Sequence, residues 1–311
     1  MDKQRVVTGA IFFAILLAFL IASIWLPLAM VIYFVIVAVI GSLELGHALR
    51  NKFTPLSYVS IVIGSLTMLT PCLVWYAYRT LGRWHILKKA DLPYGPEAST
   101  NFIWLLGFGS LVFLLCFVLY AMINIGLKIV RKGPDHLPHA VAECSTAFTV
   151  ALPLSAVVLF QFAIPHGYFW LLYALVTPMI VDVSAYYAGS YFGKKKMLPE
   201  VSPNKTWMGF IAGLAGSVVF SLIYFLIFFR GGFPLMSAKQ IVPYSLLTGL
   251  IIGLGAQVGD WVFSSIKRWC GIKDFSKLLP GHGGIMDRFD SVFYSLPLTM
   301  LMAFFFYLLK R

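Results

Sequence analysis

Residues 101–127 read NFIWLLGFGSLVFLLCFVLYAMINIGL, and no charged side chain interrupts them. A helix of about 20 apolar residues crosses the hydrocarbon core of a bilayer, which is about 30 Å thick. The stretch is continuously apolar rather than alternating. It therefore predicts a membrane-spanning helix and not a strand of a barrel.

Comparable apolar stretches recur along the chain. Apolar residues make up 60% of the sequence and charged residues only 12%, whereas a soluble domain has about 25% charged residues. The sequence therefore predicts an all-α integral membrane protein, with about nine transmembrane helices in a single polytopic domain. The predicted spans are residues 7–25, 28–48, 57–78, 101–127, 145–164, 168–190, 208–229, 242–265 and 291–309.

Lys and Arg number 24, against 12 Asp and Glu. If the N-terminus is cytoplasmic, most of these basic residues fall on the cytoplasmic side, which agrees with the positive-inside rule. Arg79, Arg83, Lys88 and Lys89 fall on the opposite side and are exceptions. Basic residues beside spans attract anionic lipid. We therefore expect a multi-pass protein of the cell (inner or plasma) membrane with lipid, and no nucleic acid, among its partners.

Polar residues are distributed unevenly between the two halves of the chain. Residues 1–175 are mostly apolar and predict a scaffold of transmembrane helices. Residues 176–311 contain two polar regions, at 180–210 and 257–291. In the nine-span arrangement both regions emerge on the cytoplasmic face, where nucleotides are available. The C-terminal half is therefore predicted to carry the catalytic site.

Asp260 lies inside the predicted eighth span. A carboxylate inside a span is unfavourable by about 3 kcal/mol, so such residues usually face a polar cavity and serve a function. Helical spacing places Ser264, Lys267 and Arg268 on the same stripe as Asp260. One carboxylate and two basic side chains are therefore expected to face one site.

Residues 279–284 read LPGHGG, which predicts a tight loop before the last span. Glycines in such a loop let backbone amides approach a phosphate closely. Asp287 and Asp290 follow, three residues apart, on one face near the positive end of the last helix.

These residues together suit a magnesium–nucleotide site. Mg²⁺ takes oxygen ligands from one or two carboxylates and from substrate phosphates, while Lys and Arg neutralise the remaining phosphate charge. Interfacial salt bridges are the alternative, but the density of acids, bases and glycines disfavours them. The candidate residues are Asp260, Lys267, Arg268, Lys273, Asp274, His282, Gly283, Gly284, Asp287, Arg288 and Asp290.

The other polar region contains a helical stripe of Asp182, Tyr186, Gly189 and Gly193. The stripe predicts either a wall of the functional site or a seam of helix packing. Residues 202–206 read SPNKT and predict a turn, in which Lys205 and the hydroxyl of Thr206 hold a phosphate.

Other acids give weaker signals. Glu44 and His47, near the end of the second span, face either a cavity or the membrane interface. Glu143 and His139 are predicted to lie in a loop.

Residues 265–290 read SIKRWCGIKDFSKLLPGHGGIMDRFD. This segment resembles the signature of the phosphatidate cytidylyltransferase (CDP-diacylglycerol synthase) family, and the motifs around Asp182 and Lys205 resemble upstream motifs of that family in the expected order. Residues 1–175 resemble the family only in hydropathy and in the position of Glu44. Met208 is a departure, because the family usually has Glu two residues after the Thr of the SPxKT motif.

The resemblance implies a dimeric, all-helical membrane enzyme that transfers the cytidylyl group of CTP to phosphatidic acid. It also implies a Mg²⁺-dependent reaction, in which a second, monovalent cation such as K⁺ can take part. Metal ligation is expected from Asp260 and Asp287, with Asp290 or Asp274 assisting. Phosphate binding is expected from Lys267, Arg268, Lys273 and Arg288, and lipid-phosphate binding from Asp182, Lys205 and Thr206. His282 either donates a hydrogen bond to a phosphate or shapes its loop.

Two rival functions are consistent with a polytopic chain. A CTP-dependent lipid kinase of the dolichol or phytol kinase type transfers the γ-phosphate instead, but its motifs are less similar to residues 265–290. A transporter or channel would use the buried acids as cation sites. The polar clusters fall at span ends and in loops rather than at the membrane midplane, which disfavours transport.

Overall fold

The computed structural model describes residues 3–83, 98–164, 166–232 and 237–309. Its main elements in those ranges are helices, so the predicted all-α fold is confirmed. The α-helices are α1 (Lys3–Trp25), α2 (Leu28–Leu49), α3 (Tyr58–Ser65), α4 (Thr70–Arg83), α5 (Ala98–Lys132), α6 (Leu137–Phe162), α7 (Gly167–Phe192), α8 (Trp207–Tyr224), α9 (Ala238–Trp269) and α10 (Met286–Leu309).

Nine helical segments in the described ranges are long and apolar enough to cross a membrane, as predicted. One of them, Tyr58–Tyr76, joins α3, a 3-10 turn and the first part of α4. Another extends α8 through a π-helical segment, Phe225–Gly232. The chain is therefore a multi-pass membrane protein. The exceptional basic residues Lys88 and Lys89 lie outside the described residues.

The chain divides into two compact units. The first contains residues 1–168 and 274–288, and the second contains residues 169–273 and 289–311. In the first unit, Val31 of α2 packs with Val158 of α6 against Trp75 of α4. The LPGHGG loop thus groups with the N-terminal helices, whereas the division of roles predicted for residues 1–175 and 176–311 stays a prediction.

Aromatic side chains form the core of the second unit. Trp170 of α7 is fully buried, with its ring 4.8 Å from Phe229 and 5.4 Å from Phe306 of α10, centroid to centroid. Such tilted and edge-on contacts between rings are the favourable geometries. They hold α7, α10 and the π-helical segment together.

A small hairpin precedes α8. Strand β1 (Lys196–Leu198) pairs antiparallel with strand β2 (Ser202–Thr206), so residues 202–206 form a strand and not the predicted turn. Because the connection between the strands is short, antiparallel pairing is the simplest way to satisfy their backbone hydrogen bonds. The strands are too short for alternation to have revealed them.

Glu143 and His139 lie in α6, and their predicted placement in a loop is wrong. Glu143 is fully buried and pairs with Lys128 of α5. It also accepts hydrogen bonds from the backbone N–H of Ser57 and, at 3.3 Å, from the side-chain amide of Asn124. These donors come from α5 and from the N-cap residue of α3, and they compensate a charge that would otherwise exclude the segment from a span.

Replacing Glu143 with Gln is expected to lower the free energy of unfolding by about 3 kcal/mol, because it leaves the Lys128 charge without its partner. Thermal unfolding of the purified protein in detergent measures the change. The double variant E143Q/K128M should recover most of the loss, since removing both charges of a buried pair is far less harmful than removing one. A single variant as stable as the parent chain would contradict the structural role of the pair.

Candidate active site

The second unit contains a cavity of about 440 Å³, lined by both polar and apolar side chains. Its wall is formed by the last turns of α7, by the hairpin of β1 and β2, by the start of α8 and by the second half of α9. Four residues predicted from the sequence meet there, although they come from three separate parts of the chain: Asp182, Lys205, Thr206 and Asp260. Asn204 and Gln257 add two amide side chains, which the sequence alone did not single out.

Asp260 forms an ion pair on this wall. The ammonium group of Lys205 donates to Oδ2 of Asp260, and the hydroxyl of Ser264 donates to Oδ1 at 3.1 Å. The ammonium also lies 6.0 Å from the ring centroid of Trp261, within reach of a cation–π contact. Both charged side chains keep about a quarter of their surface exposed. The pair is therefore accessible to a solute in the cavity.

Thr206 joins the hairpin to α8. Its hydroxyl oxygen accepts a hydrogen bond from the backbone N–H of Gly209 at 3.1 Å and so caps the start of the helix. A Cβ atom at Gly193 would lie 2.4 Å from this oxygen, and one at Gly189 would lie 3.0 Å from it. The stripe on α7 thus serves both predicted purposes, because it packs against α8 and lines the cavity.

Lys267 and Arg268 continue α9 beyond the cavity, as predicted, but they are not among its lining residues. The guanidinium of Arg268 donates to the carbonyl oxygens of Val201, at 3.1 Å, and Ile272, at 3.3 Å. Arg268 therefore ties the connection between the two strands to the end of α9. Phosphate binding by Lys267 and Arg268 stays a prediction.

Met208 lies in the first turn of α8, and that turn contains no acid. The side chain is exposed. Thr206 caps the helix without help from a carboxylate, so the departure from the family pattern leaves the local fold intact.

The LPGHGG loop lies in the first unit and is tight, as predicted. The backbone N–H of Leu279 donates to the carbonyl of Gly283, and that of His282 donates to the carbonyl of Leu279, both at 2.8 Å. Gly281 and Gly283 have φ angles of 75° and 81°, which few residues other than glycine adopt. The ring of His282 lies beside Gly9 of α1, and its Nδ1 has no hydrogen-bond partner within the described ranges.

Asp287 anchors this loop at the start of α10. Its Oδ2 accepts hydrogen bonds from the backbone N–H of Phe275, at 2.8 Å, and of Gly284, at 2.9 Å. The residue is only 8% exposed. A carboxylate at the N-terminus of a helix is favoured there by the helix dipole. The predicted metal ligand is thus held in place by the backbone of the loop.

Glu44 approaches the same loop from α2. Its Oε1 accepts from the hydroxyl of Ser276, at 2.6 Å, and from the N–H of Ile285, at 3.0 Å, while its Oε2 accepts from the N–H of Met286, at 2.8 Å. Glu44 was expected to face either a cavity or the membrane interface; the structure instead shows it buried against this loop, and it does not line the cavity of the second unit. No local pattern could have revealed these contacts, because more than 200 residues separate the partners along the chain.

The remaining candidates lie at the surface or have local partners. Asp290 accepts from the N–H of Ser291 at 2.7 Å. Lys273, Asp274 and Arg288 are exposed. Asp260 and Asp287 belong to different units, and their joint ligation of one metal stays a prediction.

The comparisons with known proteins agree with these motifs. The sequence model of the cytidylyltransferase family matches residues 3–306, which is almost the entire chain. The chain belongs to the cytidylyltransferase family. This membership extends over the N-terminal helices, where sequence motifs were weak.

Several curated members of the cytidylyltransferase family are similar to this chain. Proteins named phosphatidate cytidylyltransferase from Haemophilus influenzae, Bacillus subtilis and Staphylococcus aureus are 38%, 39% and 40% identical over 140, 143 and 139 residues. The aligned parts cover 44–45% of this chain. The chain spans about half the length of these relatives, 47–50%.

Proposed function

We propose that this chain is a phosphatidate cytidylyltransferase, which converts CTP and phosphatidic acid into CDP-diacylglycerol and pyrophosphate in phospholipid biosynthesis. The observation that carries the proposal is the family match over residues 3–306. The names of the similar bacterial proteins specify the lipid substrate. The cavity of the second unit supports the proposal with two lysines, two carboxylates and a capped helix N-terminus.

The reaction needs positioning and charge stabilisation rather than a covalent enzyme intermediate. A phosphate oxygen of phosphatidic acid attacks the α-phosphorus of CTP and forms a new P–O bond. The bond from that phosphorus to the bridging oxygen breaks, and pyrophosphate leaves with the electron pair. Fixed positive groups that face the leaving oxygens lower the barrier. Lys267, Arg268, Lys273 and Arg288 are the residues that we assign to these phosphates.

We assign the acceptor phosphate to the cavity of the second unit. Lys205 is its main cation, and it can exchange the carboxylate of Asp260 for a phosphate oxygen because the pair is partly exposed. Thr206 retains a hydroxyl proton to donate, since its oxygen acts as the acceptor in the cap. Asp182, at the same wall, would orient the ammonium group.

The carboxylates fit a hard divalent cation such as Mg²⁺. Asp260 lies on the cavity wall and already balances one cation, the ammonium of Lys205. Within the described ranges no three His, Cys, Asp or Glu side chains form a metal cluster, so substrate phosphates and water would complete the ligand set, as they commonly do for Mg²⁺. Asp260 and Asp287 would hold the ion, with Asp290 or Asp274 assisting. Bound there, Mg²⁺ would neutralise phosphate charge, and a monovalent cation such as K⁺ is a further candidate.

The site is proposed to face the cytoplasm of the cell membrane in a homodimer. The support for this orientation is the excess of basic residues in the loops of one side. Lys194, Lys195 and Lys196, between α7 and β2, belong to that excess and are exposed.

Labelled CTP tests the proposed reaction. Purified protein in detergent is given phosphatidic acid, Mg²⁺ and CTP labelled either at the α-phosphate or at the γ-phosphate. Label is expected in the lipid only from the α position. Label from the γ position alone would establish a lipid kinase instead. No label from either position, in folded protein, would reject both reactions with phosphatidic acid and favour either an altered substrate or transport.

A further inference from the structure

Glu44 is the only buried acid on α2, and the proposed chemistry does not use it directly. Its side chain is 6% exposed. All three of its hydrogen-bond donors described above belong to the segment 275–287, and two of them are backbone amides at the start of α10. The first amides of a helix have no partner within the helix. Glu44 therefore caps α10 from a different helix.

The fit between Glu44 and this segment is close. A Cβ atom at Gly284 would lie 2.5 Å from both carboxylate oxygens of Glu44. Only glycine lets the backbone approach the carboxylate this closely. Gly284 therefore has a packing role in the segment besides any contact with a phosphate.

The same short stretch of backbone is bound by Asp287. The N–H of Gly284 donates to Asp287, while those of Ile285 and Met286 donate to Glu44. At the other end of the segment, the backbone N–H of Phe275 donates to Asp287, and the hydroxyl of the next residue, Ser276, donates to Glu44. Both ends of the segment are thus held by the two carboxylates. If the segment moved away from Glu44, the backbone amides that donate to Asp287 would move with it.

We infer that Glu44 is a positioning residue, which holds segment 275–287 so that the carboxylate of Asp287 is presented in the geometry that metal and nucleotide require. The inference rests on the proposed function for the role of Asp287. A cap that only stabilises the fold would require the same contacts but would not affect how the enzyme uses Mg²⁺.

The variant Glu44→Gln tests this inference. Glutamine keeps the shape of the side chain but has one acceptor oxygen, so at least one of the amides of Ile285 and Met286 loses its partner. We expect amide hydrogen exchange in segment 275–287 to become about tenfold faster. We also expect the Mg²⁺ concentration for half-maximal label transfer to rise about tenfold.

The matched control is Ser42→Ala on the same helix. It removes a buried hydrogen bond, 2.6 Å from Ser42 to Ser65, that does not involve segment 275–287. The control should leave both readouts unchanged. If E44Q does not fold, Ser276→Ala removes one of the three contacts and should shift both readouts in the same direction by less.

The outcomes separate the inference from the proposed function. Two results in E44Q would overturn the positioning role. One is amide hydrogen exchange in segment 275–287 at the rate of the parent chain; the other is faster exchange with an unchanged Mg²⁺ concentration for half-maximal label transfer. Cytidylyl transfer by the parent chain would stand in either case. Absence of label transfer in the parent chain would defeat the proposed function, and the exchange measurement would then decide by itself whether Glu44 orders the segment.

Discussion

Replacing Asp287 with Asn is expected to reduce transfer of the α-phosphate label by at least about 100-fold while leaving the protein folded. The reason lies in two hydrogen bonds that Asp287 accepts at Oδ2, from the backbone N–H groups of Phe275 and Gly284. Asparagine retains one oxygen that can accept both bonds. The substitution therefore removes the charge that the proposed metal would need and keeps the contacts that the loop needs.

Two further variants distinguish these effects. Asp287→Ala removes both hydrogen bonds as well as the charge, so it should lower the melting temperature, whereas D287N should not. Asp135→Asn is the matched control, because Asp135 is an exposed aspartate in a 3-10 turn distant in sequence from both polar regions. Label transfer is measured for all three, with thermal unfolding alongside. A folded D287N variant with full activity would remove Asp287 from the catalytic site.

Local sequence chemistry predicted the spans and the loop well. Continuous apolar runs decide whether a segment crosses a membrane, and all nine were found. The glycines of residues 279–284 can adopt the positive φ angles that a tight turn needs, and the proline disfavours a regular helix. The tight loop with positive φ at Gly281 and Gly283 therefore also followed from the sequence.

Contacts between distant parts of the chain could not be predicted in the same way. Glu143 resembled a loop residue because its partners, Lys128 and Ser57, lie in other elements. Glu44 remained open for the same reason, since its donors begin at Ser276. In both cases the sequence shows the cost of burying a charge but not the groups that compensate it.

For the Asp260–Lys205 pair, the sequence predicted a local contact but not the contact between distant parts of the chain. Helical spacing predicted Ser264 as a neighbour of Asp260, and the hydrogen bond between them confirms it. Lys205 was singled out on a separate motif, and its ion pair with Asp260 required the fold. The pair is therefore the point where the two polar regions of the sequence meet within one unit.

Variants of this pair are expected to lose activity in two different ways. Asp260→Asn should reduce label transfer about 100-fold and raise the Mg²⁺ concentration for half-maximal activity, because Asp260 is the proposed metal ligand. Lys205→Met should cause a loss of similar size with a higher KM for phosphatidic acid, because the acceptor phosphate loses its cation. Neither variant should unfold the protein, since about a quarter of each side chain is exposed and water can solvate the charge that remains.

The double variant K205M/D260N decides whether the two residues act separately. If Lys205 binds phosphate and Asp260 binds metal, the double variant is less active than either single variant. If Lys205 only neutralises Asp260, the double variant is no worse than D260N, and the assignment of Lys205 to the acceptor phosphate is wrong. Lys195→Met is the matched control, because Lys195 is exposed and does not line the cavity. Its activity should equal that of the parent chain, which would show that the loss in K205M comes from the cavity and not from a lower positive charge near the membrane.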